Sequence, residues 1–129
     1  EGNGGVIYPE LHYGRDALVG VALFLSLLVE RGLGVAALRS TYQSYFMSKN
    51  KITLEEGMDV DEVLAAIARK YKNEKISTID GVKIDFKGEW VHLRKSNTEP
   101  IIRIYTEATN EAVAAALAGR FVQEIKLLF

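Results

Sequence analysis

Cysteine is absent from the 129 residues, which excludes both a disulfide framework and a thiolate metal site. A charge surplus is absent too: sixteen Lys and Arg stand against seventeen Asp and Glu, for a formal net charge of −1. Such a chain has no broad basic field for nucleic acid or an anionic membrane, so any attraction for anions must be local. No apolar run reaches the roughly 20 residues that cross a bilayer. The longest, Ala17 to Val29, carries Gly20 and Ser26 and reads as a buried helix. The opening Glu1-Gly2-Asn3-Gly4-Gly5 lacks the basic and apolar regions of a signal peptide. Repeats and low-complexity tracts are missing. So are an Asp-rich metal loop and a Ser, His and Asp set in recognisable spacing; Asp59 and Asp61 belong to a helix start. No catalytic residue and no metal ligand is therefore assigned. What remains is an ordinary globular composition, 48% hydrophobic, expected in the cytoplasm. The start, with three glycines in its first five residues, reads as cut from something longer.

Periodicity supplies the elements. Asp16 to Arg31 has a helical pattern, with an acidic residue in its first turn and Gly32 as a stop. Its apolar residues cover more than one stripe, so it needs partners on several sides. The expectation is that it self-associates or packs against a neighbouring copy when its own surroundings are missing. A boundary falls near Gly34, and Val35 to Tyr42 reads as a short helix or a linker. Tyr45 to Leu54 is a strand whose Lys-rich middle suits a sheet edge. Asp59 to Tyr71 is a helix with Val60, Val63, Leu64, Ile67 and Tyr71 on the 3.6-residue period, and Asp59 with Glu62 resembles a capping box. Lys75 to Ile79, Val82 to Phe86 and Glu89 to Leu93 are strands joined by turns at Asp80-Gly81 and Lys87-Gly88. Ile101 to Ala108 is another, with Ile102, Ile104 and Thr106 on one face and Arg103 and Tyr105 on the other. Asn110 caps a last helix whose stripe is Val113, Leu117, Phe121 and Ile125. The fold class is α+β, a mostly antiparallel sheet with helices on one face.

Between two of these strands lies Arg94-Lys95-Ser96-Asn97-Thr98-Glu99-Pro100, with Arg103 three residues on. Two readings fit the residues by themselves. One is plain turn chemistry: Ser96-x-x-Glu99 even has capping-box spacing, although Pro100 and the β-branched alternation after it oppose a helix there. The other is a site for a phosphate or carboxylate. Arg forks bind such oxygens bidentately, and Ser, Thr and backbone N–H groups add donors. If the flanking strands pair, Arg94 and Arg103 converge on the loop. His92 shares the Arg94 side of its strand and is given no role.

The run Arg94 to Ala108 resembles the phosphate-binding signature in the last domain of the α-D-phosphohexomutases. Asp80-Gly81-Val82-Lys83 and Trp90 also fit the strands leading to that loop, and Arg15-Asp16 fits an earlier segment. The likeness extends over essentially the whole chain. It implies that residues 1–34 end the family's sugar-binding third domain, and that residues 35–129 form a fourth domain with a TATA-binding-protein-like α+β fold. By the same resemblance, the intact enzyme interconverts hexose 1-phosphate and hexose 6-phosphate through a bisphosphate, using a phosphoserine and Mg²⁺ held by domains outside this chain. Arg94, Ser96, Asn97, Thr98 and Arg103 are then expected to hold the phosphate that is not being transferred, while Glu99 and Pro100 contribute shape. Glu1 and Asn3 match positions that meet the sugar. Asn3 stands where Ser is more familiar and Gly5 where His is, so no general acid or base is assigned. The expected partner is a phosphorylated hexose, with no catalysis from these residues alone. The alternative is a non-enzymatic α+β module that binds an anion or a partner.

Overall fold

The computed structural model describes residues 4–54, 59–96 and 99–128. These fall into two compact units, residues 1–43 and 44–129.

The first unit is built around α1 (Ala17–Arg31) and α2 (Val35–Ser40). Asp16 caps α1 by accepting from Val19 N–H at 3.0 Å, and His12 Nε2–H donates to the same carboxylate at 3.0 Å. His12 Nδ1 in turn accepts from Gly14 N–H at 2.9 Å, so this imidazole organises the helix start. Those hydrogen bonds, the backbone donor of Val19 first, hold the Asp16 carboxyl below its ordinary value. Gly32 ends the helix in the left-handed region at φ 62, where its N–H bonds back to Leu28 and Val29 carbonyls. The sequence reads α1 as buried, but none of its residues is: Leu18 is 82% and Val29 83% exposed. The segment from Val35 resolves as the short helix α2.

The second unit carries the sheet. Its strands are β1 (Phe46–Thr53), β2 (Lys75–Ser77), β3 (Val82–Asp85), β4 (Glu89–Lys95) and β5 (Ile101–Ala108), with α3 (Val60–Lys70) and α4 (Glu111–Lys126) between and after them. The order is β1-β5-β4-β3-β2, and every pairing is antiparallel. Strands β2 to β5 are the meander that the two tight turns imply. The Lys-rich β1 is an edge strand, but its partner is β5, far along the chain. Both α3 and α4 pack on one face. Ile52, Val82, Ile84, Val91, Leu93, Ile102 and Ile104 meet Val63, Leu64, Ile67, Leu117, Phe121 and Ile125 there, forming the core. This is the expected α+β architecture.

Two details differ from the periodic pattern. Asp59 caps α3 through Asp61 N–H at 2.8 Å, one residue short of the Glu62 amide that a capping box would use. On α4, capped by Asn110 through Val113 N–H at 2.9 Å, Val113 is exposed and Ala114 is buried in its place. Thr106 explains the substitution: fully buried on the core face of β5, its hydroxyl donates to the Ala114 carbonyl at 2.7 Å and draws that side of the helix inward. Among the described residues no helix is long and apolar enough to cross a membrane.

Candidate phosphate site

Register decides which side chains share the open face of the sheet. Antiparallel pairing sets Arg94 of β4 directly opposite Arg103 of β5. The two arginines, nine residues apart in sequence, are therefore cross-strand neighbours on the face away from α3 and α4. Gly81 sets a close approach on the other side of β4. It holds φ 71, and a Cβ there would overlap the Leu93 carbonyl oxygen and lie 3.0 Å from Arg94 Cα. The turn residue thus lets the chain run against the backbone of β4 just where Arg94 leaves it.

Arg94 is oriented by Asp80, whose Oδ2 accepts from Nη1 at 3.1 Å, and His92 Nε2–H donates to the Asp80 carbonyl at 2.5 Å. Arg103 has no ion pair among the described residues. Lys95 lies between the site residues in sequence, yet its ammonium turns to the other face and donates to Asp61 Oδ2 at 2.7 Å. That hydrogen bond, with the carboxylate's charge, raises the Lys95 pKa and couples the end of β4 to the start of α3. Alternation, rather than proximity in sequence, thus selects Arg94 and Arg103.

Ser96 continues the ladder past the end of β4, its N–H donating to the Ile101 carbonyl at 3.1 Å. The residue is only 8% exposed, and among the described residues its buried Oγ has no hydrogen-bond partner. Buried hydroxyls are seldom left so, because an unmet donor and acceptor is costly. Glu99 and Pro100 act through the backbone: Ile101 N–H donates to the Glu99 carbonyl at 2.8 Å, and Leu54 N–H to that of Pro100 at 3.0 Å. The loop is thereby tied to β1. Asn97, Thr98, Glu1 and Asn3 lie outside the described residues.

The far end of the same face carries a different set of contacts. Trp90 Nε1–H donates to Glu107 Oε1 at 2.9 Å, beside a shallow hollow lined by Asp85 and Glu89. The carboxylates of that end are met by cations of their own, since Lys83 pairs with Asp85 and lies over the Trp90 ring. Among the described residues, no three His, Asp or Glu side chains gather as a metal site.

Residues 50–124 match the family described as Phosphoglucomutase/phosphomannomutase, C-terminal domain. The chain belongs to the phosphoglucomutase/phosphomannomutase family. It is 41% identical to the phosphoglucosamine/phosphogalactosamine mutase of Sulfurisphaera tokodaii across 98% of its length, which is 27% of that protein. It is 38% identical to a phosphoglucomutase/phosphomannomutase of Thermococcus kodakarensis, with 88% of the chain and 25% of the relative covered. A probable phosphoglucosamine mutase of Methanopyrus kandleri is 31% identical over 98% of the chain and 28% of the relative. The chain thus spans between a quarter and a third of the length of these mutases. The span matched to the family includes β5 with Arg103 and β4 with Arg94, the two strands that set the arginine pair.

Proposed function

We propose that this chain is the substrate phosphate-binding part of a phosphohexomutase that interconverts hexose 1-phosphate and hexose 6-phosphate through a bisphosphate intermediate. Arg94, Ser96, Asn97, Thr98 and Arg103 grip the phosphate that is not being transferred, and Glu1 and Asn3 meet the sugar. The observation that carries this reading is the buried, unpartnered Ser96 Oγ at the end of the strand whose Arg94 is paired across the sheet with Arg103. Two planar forks and a desolvated hydroxyl suit a tetrahedral dianion.

A loop that holds one phosphate and leaves the rest of the sugar free can present either end of the hexose in turn. It contributes positioning and charge complementarity, which phosphoryl transfer chiefly requires of a protein. On this reading the phosphoserine and the carboxylates for Mg²⁺ belong to parts of the mutase outside the chain. The preceding, sugar-binding domain then gives way to the phosphate-binding one between Gly34 and Ser44, with α2 in the connecting stretch, in a cytoplasmic enzyme. The exposed apolar surface of α1 is then covered by the rest of the mutase, or by a second copy when the 129-residue chain stands alone. The names of the relatives from Sulfurisphaera and Methanopyrus make glucosamine 6-phosphate the first ligand to try, with glucose 6-phosphate beside it.

The test is a titration of the chain with both sugar phosphates, followed by amide chemical shifts. The reading expects saturable shifts at Arg94, Ser96, Ile101 and Arg103, lost in Arg94→Gln and Arg103→Gln and not produced by glucose. Shifts confined to residues remote from 94–103 would overturn it.

A further inference from the structure

The row that pairs Arg94 with Arg103 does not end there. On its other side Arg103 stands directly opposite Lys51 of β1, so three cations lie abreast on neighbouring strands of one face. Strand spacing of about 4.8 Å keeps all three within reach of a single anion. Like charges set directly opposite one another destabilise a sheet, and a site with a dianion over the row removes that conflict.

Of the other cations of this face, Lys75 stands away from the row on the opposite edge strand β2, across from Asp85, and the rest are engaged. Lys49 lies 5.4 Å from the centre of the Tyr105 ring, Lys83 pairs with Asp85, and Arg94 pairs with Asp80. Lys51 and Arg103, adjacent to each other, have no ion pair or ring contact among the described residues. Ser96 and its buried, unpartnered Oγ belong to the next row, opposite Ile101, whose β1 partner is Thr53.

We propose that Lys51 is a third cation of the phosphate site, contributing a flexible ammonium from the edge strand beside the two guanidiniums. The proposal rests on the phosphate-binding reading above and extends it to a strand outside the loop. Its chemistry differs from that of the arginines. A lysine acts as a mobile point charge with little demand on direction, so it follows the phosphate when the sugar attached to it is turned. An edge strand also gains from lysines that block pairing with other chains. That role would make Lys49 and Lys51 equivalent, whereas a binding role separates them.

The experiment compares Kd for glucosamine 6-phosphate, by calorimetry, in the chain itself and in Lys51→Gln, Lys51→Arg, Lys49→Gln and Arg103→Gln, with amide spectra to verify folding. Lys51→Gln is expected to weaken binding about fivefold, with Lys51→Arg and Lys49→Gln within about twofold of the parent. Equal losses in Lys49→Gln and Lys51→Gln would mean a general effect of charge and would overturn the proposal. So would an unchanged Lys51→Gln beside a weakened Arg103→Gln, an outcome that leaves the loop reading intact. Absence of binding by the parent chain would sink the loop reading itself, and Lys51 with it.

Discussion

Ser96 stores a conflict between stability and binding. Its hydroxyl is buried without a partner, so removing it relieves an unmet hydrogen-bonding demand at the loss of one small atom. Ser96→Ala is expected to raise stability by up to about 1 kcal/mol in denaturant unfolding, while weakening glucosamine 6-phosphate binding several-fold in the same titration. A loss in both quantities would show the hydroxyl to be structural. Gly81 behaves oppositely. Alanine there combines a left-handed φ of 71 with overlap against the Leu93 carbonyl, and a cost of about 3 kcal/mol is expected. Because Arg94 leaves the backbone beside that contact, Gly81→Ala should also loosen phosphate binding. The sequence makes Arg94, Arg103 and the turn at Asp80-Gly81 visible through composition and alternation. It cannot make visible that Ser96 is buried or that Lys95 turns to Asp61, since both depend on what packs beside the end of β4.

At the level of elements, α3 and α4 are locked over the core by one carboxylate. Glu124 Oε1 accepts from the Tyr71 hydroxyl at 2.7 Å and Oε2 from Lys70 at 2.9 Å, while the Tyr71 and Phe121 rings lie 5.2 Å apart. Partial burial works against the charge on Glu124, but the hydrogen bonds from Lys70 and Tyr71 outweigh it and the pKa is lowered. Burial, then the bond to Glu124, pushes Tyr71 up to about 12. The two limbs of the stability profile follow. The Glu124 contribution is present above about pH 4.5, the ordinary carboxyl value, and fades as pH falls through its lower folded pKa. The Tyr71 contribution is complete below pH 10 and lost as pH rises towards 12. Tyr71→Phe should cost about 1–2 kcal/mol at pH 7, and the gap to the parent should close between pH 10 and 12 in denaturant curves. A constant gap would show that the hydroxyl acts by packing. Helix periods on α3 and α4 are written in the sequence, as is the meander β2 to β5. The seating of β1 against β5 is not, because that pairing is non-local and its alternation records a face without naming a neighbour. Lys51 drops out of a sequence reading for that reason.

At the scale of the whole molecule, hydrophobic burial is unevenly shared. The core that joins Ile52, Leu93, Ile104, Leu117 and Phe121 draws every member from residues 44–129, and α1 contributes none. Burial of apolar area is the main source of folding stability, so residues 44–129 should fold cooperatively by themselves, with the arginine pair and Ser96 in place. Leu18, Val21, Leu25 and Val29 of α1 stay largely exposed, an arrangement that soluble surfaces seldom keep without a partner. The 129-residue chain is therefore expected to self-associate as concentration rises in light scattering, whereas the 44–129 piece should stay monomeric and bind inorganic phosphate, which meets only residues it contains, with the same affinity as the full chain. Charge placed on the exposed stripe, as in Leu18→Glu with Val29→Glu, should abolish the association and leave binding untouched. A full chain that remains strictly monomeric at millimolar concentration would show that α1 needs no second copy. A 44–129 piece that fails to unfold cooperatively would show that the sheet depends on more than its own core.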